Sequence, residues 1–528
     1  MAIKDWFKSD IERLSRPVPA RSSASAETDA ELLGSGRQGI EQIMERLPRG
    51  ADVIRDQIDR KERARWARAN EVASLGYKPG DVLLGKYGDR LIGYGGDKAI
   101  VTVAAARSGK TATVLLPTLY TYPGSVMVLD PKGELASATA EHRRTVLGQY
   151  VAVLDPFGVS GQAASTFNPM SELDLTSPTL VDDVDTLTQA LVLNEGGEEG
   201  NHWTNSAQAY LRGLVLHALT KPDVERNLVT VRQLMMLTYP PLMALQAQLA
   251  ANGAKDPADA TQVALFMEMS KQISLFGGAL AGAGNSFLRK APRERASIVS
   301  TLETQGRWLD SEPMQASLKA SSVRLDSLAT RPTTIYLCLP SSMMESHFRW
   351  LRLIISMTLR ALERRGTWPR GKTPILFMLE EFAILGHMPI LEKAGAYLPG
   401  FGVKLMAVLQ DLSQLERNFA KGWHTFLGNA GVLQCFGNSD AHTLDYISNR
   451  LGSLSFVRGQ FGGGSKPGDG SNDYVDKERL AYPHEIATGF ARGTGAQLLL
   501  ADGQPPMAIE RLTFDDVERL RRSMRPVP

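Results

Sequence analysis

The sequence predicts an α/β fold, in which a parallel-rich sheet carries a phosphate-binding loop and is interrupted by an all-α insertion. Three observations predict it. An apolar run, "KAIVTVAAA", feeds into the glycine-containing stretch "RSGKT" and then into the helix-like "TATVLLPTLYT". Two further apolar runs, "GSVMVLDPKGELA" and "YVAVLDPFG", follow in the strand, loop, helix, strand order of parallel α/β units. From about residue 180 to 290 strand texture lapses and helical spacing takes over, as in "NSAQAYLRGLVLHALT".

The bulk properties narrow the class. At 528 residues the chain exceeds what one small core organises, so two or more domains are expected. A net charge of +2 gives no overall argument for nucleic acid, so a DNA-binding surface would be a local patch. Cys338 and Cys435 lie in apolar stretches without metal-ligand spacing and read as buried free thiols of a reducing compartment. The start, "MAIKDWFKSDIERL", carries charges where a signal peptide needs an apolar core. The longest uncharged run, Thr111 to Leu129, is broken by Pro117, Pro123 and Gly124, and reads as helix, turn and strand rather than a membrane span. The expectation is a soluble, cytoplasmic protein.

Along the chain, residues 1–78 form a charge-rich helical and flexible segment. Its basic cluster, Arg60, Lys61, Arg63, Arg65 and Arg68, reads as a solvated helix face, with DNA or anionic lipid as the other reading. Residues 79–180 and 291–511 form the nucleotide-binding unit, 181–290 the all-α insertion, and 512–528 a tail. In the second half of the unit, strands are expected at "TTIYLCLP", "PILFMLEEFAILG", "FGVKLMAVLQD", "NAGVLQCFGN" and "GAQLLLADG". Before the last of these, the Gly-, Ser- and Asp-rich "VRGQFGGGSKPGDGSNDY" is expected to be a mobile loop.

The phosphate loop pattern is G-x-x-x-x-G-K-[ST]. Here Gly109, Lys110 and Thr111 satisfy its end, while Ala104 replaces the first glycine. Residues Arg107, Ser108, Gly109, Lys110, Thr111 and Ala112 would wrap the phosphates with backbone N–H groups at a helix N-terminus. Lys110 would reach the β- and γ-phosphates of ATP, and the Thr111 hydroxyl would bind Mg2+. Ala104 matters only if its position needs positive φ or lacks room for a methyl group. A second strand, "TPILFMLEEF", ends in Glu380 and Glu381, the form of a Walker B strand, whose first acid holds the metal and whose second polarises the attacking water. A third strand runs into Gln410, placed to sense the γ-phosphate.

With "RSGKT", "VMVLDPKGELASATAEHRR", "VAVLDPFG", "STFNPMSEL", "HWTNSAQAYLRGLVLHAL", "SIVSTLE", "LFMLEEFAILGHMPILEKAGAYLPGFGVKLMAVLQDLSQL" and "LAYPHEI" in this order, the chain resembles the TraG/TraD-like coupling proteins of type IV secretion and conjugation. The resemblance implies a RecA-like P-loop ATPase with a helical insertion between the phosphate loop and the Walker B strand. It implies ATP and Mg2+ as cofactors and a homo-hexamer at the bacterial inner membrane. That assembly would receive relaxase-bound single-stranded DNA, or a protein substrate, and pass it to the secretion channel. On this resemblance Lys110, Glu381 and Gln410 are the catalytic set, and Thr111 and Glu380 the metal set. Asp130 and Lys132 of "LDPKGE" would line the nucleotide site or the channel, with a structural turn as the other reading.

Two departures stand out. No transmembrane helix is evident, so a separate membrane-anchor protein or the amphipathic N-terminal segment would recruit the chain to the membrane. No arginine lies between Gly371 and Glu416, so a trans-acting arginine would come from elsewhere, with Arg295, Arg307 and Arg450 as candidates. The competing functional class is a nucleotide-switched docking receptor for secreted proteins; a helicase or chromosome partition pump is the third.

Overall fold

The computed structural model describes residues 64–194, 197–392, 397–419, 422–458 and 474–524. The expectations for the N-terminal segment before residue 64, and for the core of the Gly/Ser/Asp-rich loop at 459–473, lie outside the described residues.

The described residues form thirteen strands: β1 (Val82–Tyr87), β2 (Arg90–Tyr94), β3 (Ala99–Ala104), β4 (Val126–Asp130), β5 (Tyr150–Leu154), β6 (Thr333–Cys338), β7 (Ile375–Leu379), β8 (Val403–Leu409), β9 (Ala430–Phe436), β10 (Ser453–Arg458), β11 (Tyr474–Arg479), β12 (Ala496–Ala501) and β13 (Met507–Glu510). Eleven of them make one sheet in the order β2-β1-β13-β12-β9-β3-β8-β7-β4-β6-β5, and β10 and β11 pair separately. From β9 to β5 every neighbour is parallel; β12, β13, β1 and β2 extend the sheet antiparallel. Strands β3, β4, β6, β7, β8 and β9 are buried along their whole length, as expected of a parallel sheet covered on both faces. That double cover explains why these segments read as continuous apolar runs rather than alternating ones.

Four adjacent strands, β3, β8, β7 and β4, end at one edge of this sheet, and each ends beside a chemistry-bearing residue. In order these are the phosphate loop, Gln410, the two glutamates and Asp130. The carboxyl edge of a parallel sheet is where ligand crevices form.

The helix after the phosphate loop begins as a π-turn, Thr111–Leu115, and continues as α1 (Leu116–Thr121). Pro117 supplies the reason. It has no N–H to donate and its ring crowds the carbonyl four residues back, so a widened turn accommodates it, with Leu116 N–H reaching the Thr111 carbonyl.

Between β5 and β6 the described residues contain helices and no strand. The helical run includes α2 (Leu180–Leu191) and α3 (Gly197–Leu219) and continues past residue 290 as far as Thr330. Tyr210, Phe266 and Phe287 stack at its centre, with Phe266 and Phe287 ring centroids 4.0 Å apart. The insertion shares one apolar core with the sheet and is pinned beside it by Asp183 of α2, which is fully buried and pairs with Arg360 at 2.8 Å and Arg364 at 2.6 Å. Both arginines project from α4 (Met344–Arg364), whose other face is buried in the main core. Trp203 lies on the surface against His202. Cys338 and Cys435 are both buried free thiols. Among the described residues no helix is long and apolar enough to cross a membrane.

Candidate functional site

The phosphate loop leaves the carboxyl end of β3. Ala104 is its last strand residue, fully buried and paired with Phe436 of β9. It does not have positive φ, and its methyl group lies in the apolar layer that also holds Leu115 and Phe436. The missing first glycine therefore takes nothing from the loop's geometry. Positive φ falls instead on Gly109 (φ 96°), where only glycine is unstrained, and on Arg107 (φ 59°), whose side chain is exposed. For a non-glycine residue that conformation costs on the order of 1 kcal/mol, a strain that recurs at ligand-binding turns.

The loop is closely supported. The Ser108 N–H donates to the Ala105 carbonyl at 3.2 Å, and the Thr113 N–H and hydroxyl both bond the Gly109 carbonyl. Gly437, just after β9, lies directly beneath. A Cβ there would stand 2.7 Å from the Ser108 Cβ, so this glycine sets how closely the two loops approach. Thr111 and Ala112 head the π-turn and are half-buried.

Around Lys110 the predicted residues converge. Its Nζ lies 3.6 Å from Glu381 Oε1. Gln410 Nε2 donates to both Glu381 oxygens, at 2.9 and 3.0 Å. Gln410 is itself fixed: its N–H donates to Gln414 Oε1, and Asn438 Nδ2 reaches its carbonyl. Glu381 holds a left-handed backbone (φ 54°), which turns its side chain off the line of β7.

Behind this contact the environment is acidic. Burial first, then the neighbouring Asp130, raises the Glu380 carboxyl to about 8, against the opposing pull of Lys110. Burial likewise lifts Asp130 to about 6. Asp130 Oδ2 accepts the Ala136 N–H at 2.8 Å, while its Oδ1 is buried with no partner. The Ser108 hydroxyl is also buried and unpartnered. Crowded carboxyls, two unsatisfied oxygens and one lysine at the end of a left-handed loop are the donor set that a phosphate with its divalent cation would satisfy, so the residues present fit Mg2+ and nucleotide.

The second "LDP" motif has a structural role. Asp155 accepts the Val159 and Ser160 N–H groups and the Ser160 hydroxyl at 2.6–3.0 Å, closing its own turn. Lys132 is exposed. Of the candidate trans-acting arginines, Arg295 is committed internally, paired to both oxygens of Asp259 at 2.7 and 2.8 Å. Arg450 donates to the Tyr446 hydroxyl at 2.9 Å, and Arg307 is exposed. Sequence reasoning missed two residues of the loop's support, Gly437 and Arg511. The glycine in "CFGN" was visible as a turn residue after a strand, but nothing in the sequence pairs position 437 or 511 with 108.

Comparison with known proteins follows the same lines. Residues 49–525 match the family described as "Type IV secretory system Conjugative DNA transfer". The chain is 24% identical over 516 residues to a conjugal transfer protein TraG of Escherichia coli, covering 88% of this chain and 78% of that one. A second Escherichia coli TraG is 24% identical over 432 residues, with 75% and 65% covered. The type IV secretion system-coupling protein VirD4 of Bartonella quintana is 25% identical over 431 residues, with 79% and 63% covered. The chain thus spans just under two thirds of the length of the latter two. In structure it superposes on the conjugative coupling protein TrwB lacking 70 N-terminal residues, unbound, with a TM-score of 0.56 at 15% identity, covering 86% of this chain and 94% of that one. TrwB in complex with ADP and Mg2+ gives 0.55 at 14% identity, with 85% and 93% covered. These likenesses show a shared α/β P-loop fold.

Proposed function

Because the chain belongs to the type IV secretory system conjugative DNA transfer family, we propose that it is an ATP-hydrolysing coupling protein that recruits relaxase-bound single-stranded DNA, or a protein substrate, and delivers it to a type IV secretion channel. The observation that carries this reading is the contact of Lys110, Glu381 and Gln410 at the carboxyl ends of three adjacent parallel strands. TrwB, with the same fold, has been crystallised with an ATP analogue and with ADP and Mg2+.

Bound Mg2+–ATP would supply the phosphoryl group that passes to water. The remaining work falls to the chain. Lys110 and the N–H groups of Arg107 to Ala112 would hold the β- and γ-phosphate oxygens. The Thr111 hydroxyl and Glu380 would hold the cation. Glu381 would accept the proton of the attacking water; with Gln410 donating to both its oxygens it is kept an acceptor. Lys110, 3.6 Å from Glu381 Oε1, would exchange that contact for the phosphate oxygens and so leave the carboxylate free for water.

The working form in this reading is a homo-hexamer on the cytoplasmic face of the bacterial inner membrane, held there by a separate anchor protein or by the N-terminal segment. Residues 79–180 and 291–511 would be the motor and 181–290 the insertion that meets the relaxase. A docking receptor with little turnover is the other reading; Ala104 does not favour it, since its methyl group sits in the apolar layer and leaves the loop unaltered. Steady-state ATP hydrolysis with and without single-stranded DNA, beside Lys110→Ala, tests the proposal. Turnover that rises with DNA and vanishes in the variant is expected; nucleotide binding without turnover under any DNA condition would favour the receptor.

A further inference from the structure

We infer that Arg511 is a positioning residue for nucleotide binding, one that sets the direction in which the Gly109 N–H points. The inference rests on the nucleotide reading above and adds to it a residue 403 positions distant from its target.

Arg511 follows β13 directly, is 7% exposed, and has no acidic partner among the described residues. Its Nη1 donates to the Ser108 carbonyl at 2.6 Å and its Nη2 to the Arg492 carbonyl. The guanidinium lies over the Phe436 ring, 4.9 Å from its centroid, and its Nε is buried without a partner. Two carbonyls and a ring compensate poorly for burying a cation. A role limited to filling space would be met as well by an apolar side chain.

The peptide plane supplies the role. No cis bond occurs among the described residues, so the Ser108 carbonyl and the Gly109 N–H point in opposite directions. A guanidinium that holds the carbonyl therefore aims the N–H the opposite way, which on the nucleotide reading is toward the phosphates held by Lys110. The same guanidinium stands against Gly109 itself: an ideal Cβ there would meet Arg511 Nη1 at 3.7 Å. A glycine flanking this peptide makes rotation of the plane easy. The rotated plane would present a carbonyl oxygen to the phosphates in place of a donor, exchanging attraction for repulsion. Arg511 holds the plane in its binding orientation before any ligand arrives.

The test is a titration of the full chain with a fluorescent ADP analogue, for wild type, Lys110→Ala, Arg511→Gln and Arg511→Lys, with a thermal melt of each. Arg511→Gln is expected to raise the dissociation constant about 10- to 100-fold. Arg511→Lys, which keeps one charged donor, should raise it less. In steady-state turnover KM should rise with kcat little changed, because Glu381 and Gln410 are untouched. Added guanidinium ion should restore part of the affinity of Arg511→Gln, which a general loss of structure would not allow. A folded Arg511→Gln that binds as tightly as wild type overturns the inference. Should that variant fail to fold, Arg511→Lys decides: weaker binding at an unchanged melting temperature supports the inference, and unchanged binding overturns it. A wild type that binds no tighter than Lys110→Ala overturns the nucleotide reading itself, and this inference with it.

Discussion

Glu381 combines a left-handed backbone, an ammonium at 3.6 Å and a glutamine amide on both carboxylate oxygens. Removing its charge while keeping its shape is therefore informative. Glu381→Gln is expected to bind nucleotide but to lose at least about 100-fold in kcat, read by single-turnover hydrolysis. Gly437→Ala would put a methyl group 2.7 Å from the Ser108 Cβ at a φ of 66°, so weaker nucleotide binding and a lower melting temperature are expected together. Lys404 gives a pH test. It is buried in β8 beside the Tyr94 carbonyl and ring, and burial lowers it to about 8 against the pull of Asp81 and Asp97. Its charged form is disfavoured in the fold, so the penalty is full below about pH 8 and disappears as pH rises toward the free value of 10.5. Lys404→Met should stabilise the protein at pH 7 by about 1–3 kcal/mol, a gain that shrinks toward pH 10, measured by denaturant unfolding at each pH. At this scale Lys110, Glu381 and Gln410 were legible because each ends a recognisable strand or loop. The part played by Ala104 was left open by the sequence, because only the backbone reveals where the positive φ falls, and a strand residue without it has no need of glycine.

At the scale of elements, the apolar runs announced the parallel strands because burial on both faces leaves no alternation to interpret. The antiparallel extension by β1, β2, β12 and β13 was not legible as one unit, since the pairing that joins its two halves links segments more than 400 residues apart, between Lys86 and Glu510. The helical insertion was visible from spacing alone; its continuation to Thr330 was hidden because Pro292–Gln305 buries only four residues and the helices after it, such as Glu312–Leu318, are too brief to show a period. Its attachment was hidden too, because Asp183 looks like any acid in the first turn of a helix. Asp183→Ala should destabilise the fold by about 1–3 kcal/mol in urea unfolding, less than a fully buried pair would lose, since Arg360 and Arg364 keep a quarter of their side-chain surface in water. ATPase activity per folded molecule should change little if α2 serves only as an anchor.

For the whole molecule, the proposed reading would put catalysis and substrate handling in different parts of one chain: the carboxyl edge of the sheet, and a helical body that shares its apolar core and is pinned to its flank by a buried carboxylate. If the assembly is a ring, hydrolysis should rise more than linearly with protein concentration, and an exposed arginine such as Arg307 is the first to substitute in mixing experiments. The tie between Ser108 and Arg511 also bears on biosynthesis. When the ribosome has completed "RSGKT", both glutamates and Gln410, every motif for hydrolysis has been made, yet the prop behind the loop has not. Chains released early, before β12 and β13, should be nucleotide-blind despite carrying the full catalytic signature. A fold whose nucleotide loop leans on a residue made after every hydrolysis motif would keep stalled fragments from consuming ATP or joining an assembly.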